Sequence, residues 1–316
     1  PYITGNYSIS QIALHSSFHN NAAHFEEFNN KKQEVSLALA QHNINSVGIS
    51  SDFFADGYGK NQQDVVLNSF WQTYYRKRKI NLNIKPTFPL PNWRIKYNGL
   101  VALLSISDLI QSINITHAYQ SLYLITGYSS NMLLKEEDGT VYSRDYENNF
   151  SPKINYSAIA ITDRFTPLVG IDLRFKNDLS ISTEYRQAKD IRLSLHNSQL
   201  ALQEERTFLV GIAYRKHNIK LPFGWYEDRK WRNDVNFKLD IAINDRKTFV
   251  FRPENYTAEV SAGNKSITIN PTLDYTINRY YTIRVFYNSN IVSPYTTQGY
   301  STSYTYFGIN LSLQFH

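Results

Sequence analysis

Hydrophobic and polar residues alternate along much of the second half of the chain. From Asn233 to Asn244, Val235, Phe237, Leu239, Ile241 and Ile243 alternate with Asn236, Lys238, Asp240, Ala242 and Asn244. From Ser266 to Thr276, Ile267, Ile269, Leu273 and Tyr275 alternate with Thr268, Asn270, Thr272 and Asp274. Tyr281, Ile283, Val285 and Tyr287 follow, and then Phe307, Ile309, Leu311, Leu313 and Phe315 against Gly308, Asn310, Ser312 and Gln314. A period of two puts each set on one face of a strand. Earlier segments repeat the pattern: Val169–Phe175, Leu179–Tyr185, Ile191–Leu195 and Phe208–Tyr214. Further strands are predicted near Ile113–Ile125, Asn155–Thr162 and Thr248–Phe251, with a weaker one near Ile9–Phe18. The total is about ten to twelve, each about nine to eleven residues long.

The connections carry orientation. Lys176-Asn177-Asp178, Asn244-Asp245-Arg246 and Ile277-Asn278-Arg279 have the composition of tight turns, whereas His217–Arg232, Arg252–Lys265 and Asn288–Ser303 are longer. Outer-membrane barrels place short turns on the periplasmic side and long loops outside, and the predicted connections sort that way back to about Leu168. The stretch from about Asn20 to Gln111 differs. His24–His42 and Gln62–Arg78 read as amphipathic helices, with Phe25, Phe28, Val35 and Leu39 on one stripe and Val66, Phe70 and Tyr74 on the other. The Pro-rich link Pro86–Pro91 stops any helix. The expected organisation is a barrel strand in 1–19, a helix-containing insertion in 20–111, and antiparallel barrel strands over 112–316.

A soluble β-sandwich shows the same alternation, so the period alone leaves the class open. Strand length matches a tilted membrane crossing. Tyr and Phe recur near strand ends, as an aromatic girdle requires. The chain also closes on an alternating strand whose penultimate residue is Phe315, although outer-membrane proteins usually end on the aromatic itself and here His316 follows. The fold class expected is therefore all-β, an antiparallel transmembrane β-barrel with one helix-containing insertion.

Composition adjusts this picture in a few places. A mean hydropathy of −0.43 looks soluble, and no run reaches the roughly 18–20 apolar residues of a membrane helix. Alternating strands keep that average low in membrane barrels too. Aromatic residues make up 15%, with 24 Tyr and 18 Phe, side chains suited to a membrane–water boundary. The absence of Cys excludes disulfides and thiolate metal sites. A formal charge of +6 does not by itself imply nucleic acid. No signal peptide opens the chain at Pro1, so a mature, truncated or partial chain is expected.

In a barrel, the mixed charges on the polar strand faces must point into the lumen, because a charge at the bilayer midplane costs roughly 2–4 kcal/mol. The expected lumen-facing set is Asp172, Arg174, Glu184, Arg186, Lys238, Asp240, Asn310 and Gln314. The expected lipid-facing set is Phe237, Leu239, Ile241, Ile309, Leu311 and Leu313. Arg229, Lys230 and Arg232, with Trp225 and Trp231, form an aromatic–basic loop suited to lipopolysaccharide phosphates on a rim. Tyr74–Lys79 mixes aromatics with a basic run but reads as a solvated helix end or a contact to anionic headgroups, not a nucleic-acid grip. His15 and His19 are four apart but fall at a predicted strand end and loop, so no metal site is assigned. There is no GxSxG and no telling Ser/His/Asp spacing, so no catalytic residue, no cofactor and no enzyme activity are expected.

Several stretches resemble the C-terminal region of the SprA/Sov family, the outer-membrane translocon of the type IX secretion system in Bacteroidetes. FTPLVGIDLRFKNDLSISTEYRQAKDIRLSLHNSQLALQ at Phe165–Gln203 is similar to the family's "PL-GID" run, short turn, basic strand and "LSLSNNQL"-like segment. PLPNWRIKYNGL at Pro89–Leu100 is similar to its "PLPNWR-YDGL" stretch. YRKHNIKLPFG at Tyr214–Gly224, FEEFN at Phe25–Asn29 and FGINLSLQF at Phe307–Phe315 agree as well. The likeness runs from about Phe25 to the end. It implies the C-terminal segment of a very large barrel in the bacterial outer membrane, whose lumen passes folded cargo proteins bearing a C-terminal sorting domain and which supports gliding motility in some species. The implied partners are that cargo, the smaller outer-membrane barrel PorV, a periplasmic plug protein, outer-membrane lipid and lipopolysaccharide, and the remaining strands of the same barrel. Two rivals stand beside it: a self-contained barrel of about twelve strands for solutes, and a soluble all-β binding module on the cell surface.

Overall fold

The computed structural model describes residues 2–18, 21–75, 86–104, 108–138, 140–217, 219, 234–251, 260–277, 280–297 and 299–314. Its elements in chain order begin with β1 (Thr4–Ser10), α1 (Leu14–Ser17), α2 (Asn21–Ala40), α3 (Gln63–Tyr75), β2 (Trp93–Tyr97) and α4 (Leu100–Leu104). Next come β3 (Ile110–Ser130), the two-residue strands β4 (Glu136–Glu137) and β5 (Thr140–Val141), and β6 (Ile154–Tyr156). The rest is strand: β7 (Ala158–Phe175), β8 (Leu179–Ser194), β9 (Gln199–Lys216), β10 (Asp234–Phe251), β11 (Val260–Thr276), β12 (Tyr281–Pro294) and β13 (Thr302–Leu313).

One antiparallel sheet holds the molecule together, in the order β1-β3-β7-β8-β9-β10-β11-β12-β13, with β2 and β6 also paired to β3. Consecutive strands from β7 onward are neighbours, so this half is an unbroken up-and-down meander. The sheet is open among the described residues: β1 forms one edge and β13 the other. The all-β antiparallel class read from alternation is what the chain adopts. None of the described helices is long and apolar enough to cross a membrane.

The strands are longer than the alternation predicts. β10 has 18 residues and runs straight through Asn244-Asp245-Arg246, the supposed turn. These polar residues are satisfied sideways: Asn244 Nδ2 donates to Glu205 Oε1 at 2.8 Å, Arg246 to Gln203 Oε1 at 2.9 Å, and Tyr295 Oη to Asp245 Oδ1 at 2.8 Å. With every side group paired across the ladder, nothing forces the chain to reverse. Asn155–Thr162 is split between β6 and the start of β7, Val169–Phe175 is the end of β7, and Leu179–Tyr185 and Ile191–Leu195 merge almost wholly into β8.

Losing that turn changes the parity of the crossings. The strand ends that flank 176–178, 217–233 and 277–280 all lie at the sheet end where β13 finishes. The strand ends that flank 195–198, 252–259 and 295–301 lie at the opposite end. Short and long connections are therefore mixed at each end, and the expected segregation fails. Two of the three long connections are also shorter than read from sequence, because 260–265 belongs to β11 and 288–294 to β12.

The N-terminal part departs in two more places. Ile9–Phe18 is not one strand: β1 ends at Ser10 and α1 turns the chain. Within the insertion, Trp93–Tyr97 pairs with β3 and so joins the sheet. The Pro-rich link runs beside β1, with Leu90 N donating to Ser10 O at 3.0 Å and Tyr7 Oη to Pro86 O. Helices α2 and α3 form close to where sequence periodicity places them. Phe25 and Phe28 of α2 and Val66, Leu67, Phe70 and Tyr74 of α3 pack on the sheet, with Phe25 stacked on Phe251 at 4.2 Å.

Candidate functional site

The sheet has two faces of opposite character, and the ladder registers show how each is built. On one face, the rows run across five or more strands. One reads Asn114, Asp172, Ser182, Gly211, Asp240 and Asn270. The next reads Ser112, Arg174, Ser180, Ala213, Lys238 and Thr272. Together Asp172, Arg174, Lys238 and Asp240 line an open hollow of about 380 Å³. Glu184 and Arg186 lie further along the same face and pair at 2.5 Å. Arg284 binds Asp274 through two nitrogens at 2.5 and 3.0 Å, and Asn310 stands opposite Arg284 on β13. Gln314 follows β13, its backbone N–H donating to Tyr280 O at 3.0 Å. Both charge signs recur here, mostly as exposed cross-strand or near-neighbour pairs, each worth little individually.

On the other face the rows are apolar and then change abruptly. Starting from the end where β13 finishes, β10 contributes Val235, Phe237, Leu239, Ile241 and Ile243 in turn. Phe237 lies in a row with Leu179, Tyr214, Leu273, Val285 and Ile309. Ile241 lies with Ile115, Ile171, Val210 and Ile269, and Ile243 with Tyr185, Phe208, Ile267 and Ile291. Leu311 and Leu313 continue the apolar face on β13. Toward β13 this band is open to the surface, Ile309 being 64% exposed and Leu311 61%, whereas at β3, against which α4 packs, Ile113 is buried.

The two rows beyond Ile243 are charged. One holds Gln187, Arg206, Asp245 and Lys265, and the next Asp163, Lys189, Glu204 and Lys247. Asp163 accepts a hydrogen bond from Ser17 Oγ, and Lys189 Nζ lies 3.7 Å from Glu204. The strands β3 and β7 bulge where apolar gives way to polar, between Thr116 and Tyr119 and between Phe165 and Val169. Past this belt the face turns apolar again, with Tyr123, Ile161, Ile191, Leu202 and Phe249, then Ile125, Ile159, Leu193, Leu200 and Phe251. These last rows are the ones that α2 and α3 cover.

Every expected lumen-facing residue from Asp172 to Asn310 that lies in a strand falls on the polar face, and Phe237, Leu239, Ile241, Ile309, Leu311 and Leu313 share the apolar one. Arg229, Lys230 and Arg232 lie outside the described residues, as do Arg76–Lys79. The charged belt is hard to see in the sequence because its residues sit within runs that have the composition of turns or strand ends. Its signal is that Glu204, Arg206, Asp245 and Lys247 keep the parity of the apolar residues around them. Among the described residues, no group of three or more His, Cys, Asp or Glu is placed to hold a metal ion. No protein-family model matches the chain, and no curated protein matches it either.

Proposed function

We propose that this chain is part of the wall of a transmembrane β-barrel in a bacterial outer membrane, the C-terminal part of a protein-conducting pore of the type IX secretion translocon. The observation that carries the membrane part is the apolar band, open toward β13, that ends at a charged belt. Val235 to Ile243 is nine residues of strand, about 27 Å at roughly 3.3 Å per residue. That matches the low end of the nine to eleven residues of a tilted membrane-crossing strand. A soluble module would leave the open part of this band in water, which monomeric soluble proteins rarely do.

The rest of the reading follows from physical need. Hydrocarbon offers no hydrogen-bond partners, so the open edges of β1 and β13 require further strands of the same barrel. The polar face then lines the lumen, where paired charges of both signs give a hydrated wall without sticky apolar patches. A wall of that kind suits the passage of folded cargo. The secretion role, with cargo bearing a C-terminal sorting domain, PorV and a periplasmic plug as partners, rests on the resemblance of Phe165–Gln203, Pro89–Leu100 and Phe307–Phe315 to the SprA/Sov family.

Spin labels placed one at a time in membrane-embedded protein test the assignment. Labels at Phe237, Leu239 and Ile241 are expected to be accessible to oxygen and shielded from a water-soluble nickel chelate. Labels at Lys238 and Asp240 are expected to show the reverse. Equal chelate accessibility at both sets would remove the membrane assignment, and extraction from cells without detergent would point to the soluble surface module.

A further inference from the structure

Away from the sheet faces, the insertion encloses a second feature. A cavity of about 300 Å³ lies where α2, α3 and the segment 140–156 meet, with walls that include Leu39, Tyr58, Asp64, Val141, Phe150 and Tyr156. The walls are held firmly. Arg144 grips Asp56 with two nitrogens at 2.8 and 2.6 Å and lies over the Phe150 ring at 4.4 Å. Gln63 ties α3 to β6 in both directions, donating to Ile154 O at 2.7 Å and accepting from Tyr156 N at 2.9 Å. A pocket built this way needs no rearrangement to receive a ligand.

Its polar groups are unevenly matched. Lys153, at the wall, is already neutralised by Glu136 at 2.6 Å. The Asp64 carboxylate receives a long 3.3 Å hydrogen bond from Gln62 Nε2, and no cation lies within 4 Å of it among the described residues. Burial pushes its carboxyl above the ordinary range, with Gln62 and Gln63 opposing. The Tyr58 and Tyr156 phenols stand close enough to feel the Asp64 charge. The Tyr58 oxygen accepts from Asn43 at 3.2 Å, so its own O–H stays available to donate. The cavity thus offers one unneutralised acid among three aromatic rings and aliphatic walls, a combination that favours a cation with an apolar body.

We propose that this cavity is a binding site for a small organic ammonium compound, its charged nitrogen at Asp64 and its apolar part against Leu39, Val141 and Phe150. The site lies between the insertion helices and the segment 140–156, and it does not depend on whether the sheet spans a membrane.

Titration calorimetry on the full chain tests it with three probes of one shape: 2-phenylethylammonium, neutral 2-phenylethanol and anionic 3-phenylpropionate. The ammonium probe is expected to bind about tenfold more tightly than the alcohol, the equivalent of about 1.4 kcal/mol, with the acid weakest. Asp64→Asn should erase that preference, and Leu39→Trp, which fills the cavity, should abolish binding of all three. Equal affinity for ammonium and alcohol, or no saturable binding of the ammonium probe, overturns the proposal without any variant. Retention of the preference in a folded Asp64→Asn protein overturns it as well.

Discussion

Lys32 shows what a single side chain can do to the insertion. It is 4% exposed, on the stripe of α2 that also carries Phe25, Phe28, Val35 and Leu39, and its ammonium lies 4.6 Å from the Phe28 ring. Burial, with Lys60 nearby, lowers its pKa to about 8. The folded form therefore holds the proton less tightly than the unfolded chain. Below pH 8 both states are charged and the fold carries the full desolvation cost. That cost is relieved as pH rises from about 8 towards the ordinary lysine value. Thermal stability of the insertion should accordingly increase across that window, by an amount on the order of 3 kcal/mol. Lys32→Met should raise stability at pH 7 and matter little at pH 10, as read by melting curves at both values.

Gly57 is a second residue-scale case. Its φ is +78°, and a Cβ there would lie 2.2 Å from the Phe150 ring. Both strain and overlap oppose a side chain, so Gly57→Ala should destabilise the insertion by roughly 1–3 kcal/mol. Faster proteolysis between α2 and α3 would report it. Neither residue was legible beforehand. A lysine within an apolar stripe reads as a gap in it, and the Gly57–Phe150 contact joins positions far apart in sequence.

At the scale of elements, alternation recovers which face each strand residue takes but not where each strand ends. Asn, Asp and Arg at 244–246 carry the composition of a turn. What keeps them in β10 is their neighbours on β9 and β11, and those are set by register, which a single strand does not disclose. The helices were legible because Phe25, Phe28, Phe70 and Tyr74 repeat at helical spacing; the surface they cover was not. Phe251 is the hinge of that cover, stacked on Phe25. Phe251→Ala should loosen α2 from the sheet at a cost of about 3–5 kcal/mol. Hydrogen exchange should then quicken in α2 while the backbone amides of β8 and β9 near Val210 stay protected.

The whole molecule is ordered along the strands: apolar band, charged belt, helix-covered apolar rows. Sequence alone contained this order in parity, since Arg206 and Asp245 occupy the same face as Phe208 and Ile243. Reading it required knowing that Asp245 faces Arg206 and that Lys247 faces Glu204. One consequence is asymmetric sensitivity to charge. If the sheet spans a bilayer as proposed, Ile241→Lys should cost roughly 2–4 kcal/mol there, whereas Asp240→Lys, one residue away on the polar face, should cost far less. Denaturant titration of the two variants refolded in lipid would compare them directly, and equal losses would argue against the two-faced wall.

The belt also bears on vertical movement. Were such a wall to slide by one row, about 7 Å along the strands, Arg206, Asp245 and Lys265 would enter oil on one stroke. The opposite stroke would lift Val235 and its neighbours out of it. Either excursion is opposed, so the proposed membrane wall would sit at one depth like a ballasted hull. If the proposed pore is gated, sideways or rotational motion would serve and a piston would not.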